Sequence, residues 1–330
     1  MKRTKTIHAY LTATILITLC AVILRTIAYF TSFDYETMHY SNKLLITIAN
    51  ILTACGVGLS FTYLLAEKDE VRLVPSGESA LTYIPTGLVS IALMFCAADR
   101  ISVISSGIYS RNSLLLYLSY ALLALAVASV VGFFLMIFIS KSTSKAKAAM
   151  LICITLYLAV YSVYLYFNKG DHPTNSPNKI VDQLAYLASA IYFLFEARIA
   201  LGRAMWKLYI VAGLSATLLS AYSSLPALIM YLIRGERLSD SLYETALSLC
   251  VCIFVVFRII LTAKLGEDVQ SPAVDCICRL DEARRNDMIE SKQDTRARDY
   301  NNMEENDSKD MENYQFDIPD ISPDKGEDDN

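Results

Sequence analysis

Glu196 and Arg198 stand inside an apolar run, Asp182 to Lys207, that is long enough to cross a bilayer. Steps of seven back from Glu196 reach Ser189 and Asp182, and one step forward reaches Arg203. At about 100° per residue these four fall close to one line along a helix. Tyr192 and Ala185 lie beside that line, while Leu187, Ile191, Leu194 and Leu201 lie mostly away from it. A carboxylate in lipid is costly, so the seam must face other helices or a wet cavity. The chemistry open to such a group is pairing with a buried cation, service in a proton path, or contact with a solute.

Depth decides which charged residues meet. At 1.5 Å per residue, Glu196 lies roughly 21 Å below the outer end of its helix, and Arg258 roughly 25 Å below the outer end of the last one. Both fall in the inner leaflet and can pair. Ser189, Tyr192 and Arg198 complete this candidate intramembrane polar site. Asp99 and Arg25 fall near the opposite surface. With Arg100 they form a candidate outer polar cluster, and Asp182 and Glu244 lie near its rim. A plainer reading stands beside this one. Arg25, Arg100 and Arg258 sit close to an interface, where a long side chain reaches the headgroups, and Arg198 points about 200° from Glu196 toward the inner headgroups. Glu196 has a short stem, which leaves a structural ion pair and a functional polar site both open. Tyr157, Tyr161 and Tyr164 recur on one face of a helix; they pack or line the bundle interior, with Tyr164 and Tyr166 assigned to the outer aromatic belt.

These residues need a membrane scaffold to hold them. The chain is 54% hydrophobic and 19% charged, too apolar for an ordinary soluble domain of its 330 residues. Eight runs of about 20 apolar residues qualify as spans: 7–29, 44–65, 80–105, 114–139, 147–167, 181–202, 206–233 and 241–264. The first is longer than a signal-peptide core and reads as a retained helix. Ten Lys and Arg residues near the span ends on one side face six on the other, with Lys141, Lys145 and Lys147 clustered. The basic side is cytoplasmic by the positive-inside rule, so both termini lie in the cytoplasm, and the plasma membrane is the expected location.

The fold class is an all-α polytopic transmembrane bundle. A duplication is one reading of its organisation, as repeats 1–139 and 140–265. Tyr83-Ile84 with Gly87-Leu88 recurs as Tyr209-Ile210 with Gly213-Leu214, and the stretch from Lys43 through Ala49 lines up with Lys179 through Ala185. Chance matching between apolar helices is the competing reading. Small residues mark expected close contacts: Ala121, Ala124, Ala128 and Gly132 in the fourth span, and Gly213, Thr217, Ser220 and Ser224 in the seventh. Pro226 should kink the seventh span unless neighbours satisfy the carbonyl it frees.

Residues 266–330 form a separate cytoplasmic tail. It carries a net charge of −12, against +8 for residues 1–265. A short helix over 275–298 and disorder from about 299 are expected. Its acidity argues against nucleic acid as a partner. The cysteines and the three histidines lack the spacing of a metal site, and neither a metal nor a cofactor is expected. No catalytic motif appears, so the chain is not expected to be an enzyme. Its partners are the lipid bilayer, a small solute or ion, and a cytoplasmic protein met through 266–330. Two functions follow from these features. One is a small-solute or ion carrier with its polar site around the sixth span. The other is a membrane sensor or interaction protein that recruits a cytoplasmic partner through the acidic tail.

Overall fold

The computed structural model describes residues 2–34, 39–66, 80–109, 112–138, 144–168, 177–203, 205–235 and 241–265. The helix expected over 275–298 and the disorder expected beyond it lie outside the described residues. The eight helices are α1 (Lys2–Ser32), α2 (Leu44–Ala66), α3 (Ala80–Ser105), α4 (Ser113–Phe138), α5 (Lys145–Phe167), α6 (Pro177–Ala200), α7 (Trp206–Arg234) and α8 (Leu242–Leu265). All eight are long and apolar enough to cross a membrane. A two-residue antiparallel pair, β1 (Phe33–Asp34) with β2 (His39–Tyr40), closes the α1–α2 connection. The outward faces carry Leu16, Ile51, Phe95, Val131 and Phe134, each more than half exposed. Such a belt has no compatible solvent but lipid.

Packing runs in a closed ring. Helix α3 packs on α4, α4 on α5, α5 on α6, α6 on α7, α7 on α8, and α8 returns to α3. The α1–α2 hairpin leans on α7. Helix α7 is therefore the hub, and every residue from Tyr209 to Leu218 is buried. Its small residues permit that. A Cβ on Gly213 would stand 2.8 Å from Ile259 Cδ1 of α8, and one on Gly56 of α2 would overlap Leu218 Cδ1. Gly213, Thr217, Ser220 and Ser224 all face inward.

The alanine stripe of α4 does not. Ala121, Ala124 and Ala128 are exposed; Gly132 alone of that set is buried, beside Met150. The buried line of α4 runs through Ser119, Leu122, Ala126, Ser129 and Phe133. Alanine is apolar enough for lipid, so small size alone does not say which side meets a helix.

The two copies of the Tyr-Ile-x-x-Gly-Leu pattern occupy different environments. In α7, Tyr209, Ile210 and Leu214 are fully buried, whereas in α3 Tyr83, Ile84 and Leu88 are 39%, 67% and 38% exposed. Helix α7 packs on four helices, α1, α2, α6 and α8, while α3 packs on α4 and α8. The matched residues thus have different packing in the two helices.

Candidate functional site

Asp182, Ser189 and Glu196 of the seam turn inward, as their polarity requires, while Arg203 lies beyond the end of α6 and is exposed. The Ser223 hydroxyl of α7 donates to Asp182 Oδ1 at 2.5 Å, and the Ser189 and Ser220 hydroxyls meet at 3.0 Å. About two turns beyond the mid-point of α6, Arg258 of α8 donates to Glu196 in a buried ion pair; the two residues are 4% and 2% exposed. The hydroxyls of Tyr192 and Tyr209 meet at 2.9 Å beside it. Glu196 Oε2 accepts no hydrogen bond among the described residues. Of the five residues expected here, Glu196, Arg258 and Tyr192 gather in one place, while Ser189 belongs to the α6–α7 seam. Arg198 is half-buried at the end of α6 and its guanidinium makes no hydrogen bond among the described residues.

A member of the basic cluster that includes Lys141 and Lys145 by sequence joins this pair. Lys147, near the start of α5, is 5% exposed and lies within electrostatic range of Arg258 and Glu196. It lines a pocket with Arg258, Phe254, Thr82 and Thr86. The signal was present, because steps of seven from Lys147 reach Ile154 and Tyr161, both on the buried face.

A second ion pair lies toward the other end of the ring. Arg100 of α3 donates to Glu244 Oε1 of α8 at 3.2 Å, with both side chains 2% exposed or less. The Tyr157 hydroxyl donates to the same oxygen at 2.6 Å, and the Tyr186 hydroxyl to the Glu244 backbone carbonyl at 3.0 Å. The Arg100 guanidinium also lies over the rings of Tyr164 and Tyr161, 4.5 and 5.3 Å from their centroids. Asp99 faces elsewhere and accepts from the Ser241 hydroxyl at 3.0 Å.

Arg25 forms a third centre. Its Nη1 donates to the Tyr222 carbonyl at 2.8 Å and its Nη2 to Asn178 Oδ1 at 3.2 Å. The Tyr29 and Tyr40 hydroxyls donate to that same amide oxygen. The residues of the expected outer cluster fall into smaller groups: Arg100 with Glu244, Arg25 within electrostatic range of Asp182, and Asp99 on the Ser241 hydroxyl. Arg25 finds its partners on α6 and α7, and Arg100 on α5 and α8. Similar depth does not bring residues together when their helices pack on different neighbours.

The headgroup reading of the arginines is likewise corrected. Arg25, Arg100 and Arg258 are 1%, 2% and 4% exposed and turn into the bundle. Interior acceptors decide the matter: carboxylates on α6 and α8 for two of them, and a carbonyl of α7 for the third. Tyr164 leaves the aromatic belt for the same reason. It is buried under Arg100, with its hydroxyl 2.6 Å from that of Tyr109, while Tyr166 is 58% exposed.

The two carboxylate pairs share α8. Glu244, Val251 and Arg258 recur every seven residues, so one face of α8 carries an acid near one end and a base near the other. At 1.5 Å per residue these lie roughly 21 Å apart. Between them Phe133, Phe193 and Phe254 meet edge-on or tilted, with centroids 5.5–5.8 Å apart. Phe193 and Phe254 precede Glu196 and Arg258 by about one turn. The aromatic layer thus covers the Glu196–Arg258 pair on the side facing Glu244.

Fold and sites together define a multi-pass integral membrane protein, all-α, with buried ion pairs along its helix ring. Comparison with protein-family models, with curated proteins and with solved structures finds no match.

Proposed function

We propose that the chain is a carrier of a small solute or ion, with its binding site at the Glu196–Arg258 pair. The observation that supports this reading is the stacking of two buried ion pairs on opposite sides of the Phe133–Phe193–Phe254 layer. Buried pairs are poor stabilisers, because desolvation offsets most of their attraction, and ionisable residues inside a membrane commonly serve a pathway. A carrier needs a polar site reachable from one side and closed from the other. The pocket lined by Lys147 and Arg258 and the aromatic cover above them match that need. The reading assigns no catalytic step to the chain. It places the basic end and both termini in the cytoplasm and the bundle in the plasma membrane, on the Lys and Arg bias alone.

The test is solute-dependent thermal stabilisation and uptake by the purified protein in liposomes, across a metabolite panel. A solute that stabilises the wild type and is taken up, with both effects lost in Glu196→Gln and weakened in Tyr192→Phe, supports the carrier. A folded protein that responds to no member of the panel refutes it. A second reading, an interaction protein acting through its tail, draws on the net charge of −12 beyond residue 265. Capture of one cytoplasmic protein by the full chain, lost on truncation at Tyr300, would favour it.

A further inference from the structure

Lys147 is the cation of the basic-end site for which the described residues supply no hydrogen-bond acceptor. Arg258 is offset by Glu196, but Lys147 makes no hydrogen bond among the described residues while being 95% buried, by its 5% exposure. It reaches the pocket that Arg258 also lines, and none of the described lining residues is acidic. The pocket's other polar groups are the hydroxyls of Thr82, Tyr83 and Thr86. Among the described residues, no acidic side chain in the pocket stands against the Lys147 ammonium. An isolated buried charge is unfavourable until a counter-charge or polar partner reaches it. Arginine with lysine and nearby hydroxyls is the donor set that holds carboxylates and phosphates. Met136, Ile137 and Phe254 form the apolar remainder of the wall.

We propose that Lys147 and Arg258 together bind one anionic group of the carboxylate or phosphate class in this pocket. The inference deepens the carrier reading by naming the solute as an anion, and relies on it only for the transport step. Glu196 then holds the Arg258 guanidinium in place, and Lys147 supplies the charge that the solute meets. Phe254 separates the bound group from the interior of the ring.

The experiment measures thermal unfolding of the full chain in phosphatidylcholine nanodiscs, with sodium acetate or inorganic phosphate added against sodium chloride at equal ionic strength. Wild type should gain stability from acetate or phosphate beyond chloride. Lys147→Gln should bind about tenfold or more weakly, which corresponds to about 1.4 kcal/mol. Lys147→Arg, which keeps the charge, should retain the effect, and so should Lys145→Gln, whose side chain is exposed. Nanodiscs with added phosphatidylglycerol separate the two sources of the group. If that lipid stabilises through Lys147 and the free anions then add nothing, the bound group is a lipid phosphate. If the free anions still act, it is a solute.

Equal stabilisation of wild type and Lys147→Gln would overturn the proposal. So would a folded wild type that no anion stabilises, the result expected of an uncharged lysine or of one satisfied by Glu196 alone. The carrier reading fails separately. Lys147-dependent anion binding without uptake of any panel solute removes the carrier and leaves the site. Uptake of a cation, unaffected by Lys147→Gln, keeps the carrier and removes the anion.

Discussion

Arg25 donates to the backbone carbonyl of Tyr222 at 2.8 Å, and that is the carbonyl Pro226 leaves without its helical N–H partner. Proline lacks the donor that the residue four positions earlier would accept from. In a membrane no water replaces it, so a neighbour must. Arginine from α1 does so at the helix hub and holds Asn178 of α6 with its other nitrogen. One proline thus ties the α1–α2 hairpin to the ring.

Arg25→Leu should destabilise by about 3 kcal/mol, because it leaves the Tyr222 carbonyl buried without a partner and removes a charge-assisted bond to Asn178. Pro226→Ala returns an N–H to that carbonyl, so the same arginine change should cost less in the Pro226→Ala background. Denaturant unfolding in detergent of both single variants and the double measures the coupling. Strict additivity would mean that Arg25 does not serve the proline's carbonyl.

Glu244→Ala should cost about 3–5 kcal/mol, because Arg100 stays buried without its counter-charge. Tyr157→Phe removes one hydrogen bond to the same oxygen and should cost only about 1–2 kcal/mol. Unfolding midpoints rank them. A Tyr157→Phe loss as large as that of Glu244→Ala would show that the phenol, not the arginine, holds the carboxylate.

Most of the helical frame was legible, because lipid imposes length and apolarity on every span. The expected spans differ from α2, α3 and α4 by a residue or so at each end. The inward turn of Asp182, Ser189 and Glu196 followed from their spacing, since a polar line on an apolar helix has one tolerable direction. What spacing could not supply was which helices are neighbours. The meeting of Arg100 with Glu244, and of Arg25 with Tyr222, depends on the closed order of the ring. The alanine stripe of α4 points the wrong way for a related reason. Apolar residues satisfy lipid and protein alike, so they mark no preferred side. Lys147 was hidden by its place in a basic cluster, where charge usually means exposure.

Reporter fusions should place both ends of the ring. Fusions after Lys147 and Lys207 are expected to read cytoplasmic, and fusions near Asp171 and Glu236 external, because the basic residues gather on the former side. An external signal at Lys147 would invert the orientation and with it the side from which the Lys147 pocket is filled.

Tyr40 lies between the first two spans, and burial pushes its phenol up from the ordinary tyrosine value. Its hydroxyl donates to Asn178 Oδ1 at 3.1 Å. A phenol with a raised folded-state pKa contributes its full stability below the unfolded value, near about 10, and loses it as pH rises through the folded value. Tyr40→Phe should therefore cost about 1 kcal/mol at neutral pH and show a shallower alkaline loss than wild type. Unfolding midpoints from pH 7 upward check this, and parallel alkaline limbs would refute it.

Glu196 and Arg258 pose the sharpest case, because their pair is both the structural link from α6 to α8 and the floor of the proposed anion site. As a structural pair, Glu196→Ala strips a buried arginine of its counter-charge beside Lys147, and the loss should reach about 3–5 kcal/mol. Adding Arg258→Leu should recover part of it, since a buried pair is often close to neutral against apolar residues of similar volume. Lys147→Gln should relieve Glu196→Ala as well, because it removes one of the two cations then left without an acid. Glu196→Gln keeps the shape and a hydrogen-bond acceptor for Arg258, so its stability loss should be the smaller while solute-dependent stabilisation disappears. Thermal unfolding of these variants, with and without acetate, separates structure from function. Near-zero coupling in the Glu196–Arg258 cycle would mean that the pair holds nothing together. Full retention of the acetate effect in Glu196→Gln would mean that Arg258 needs no carboxylate to meet the anion.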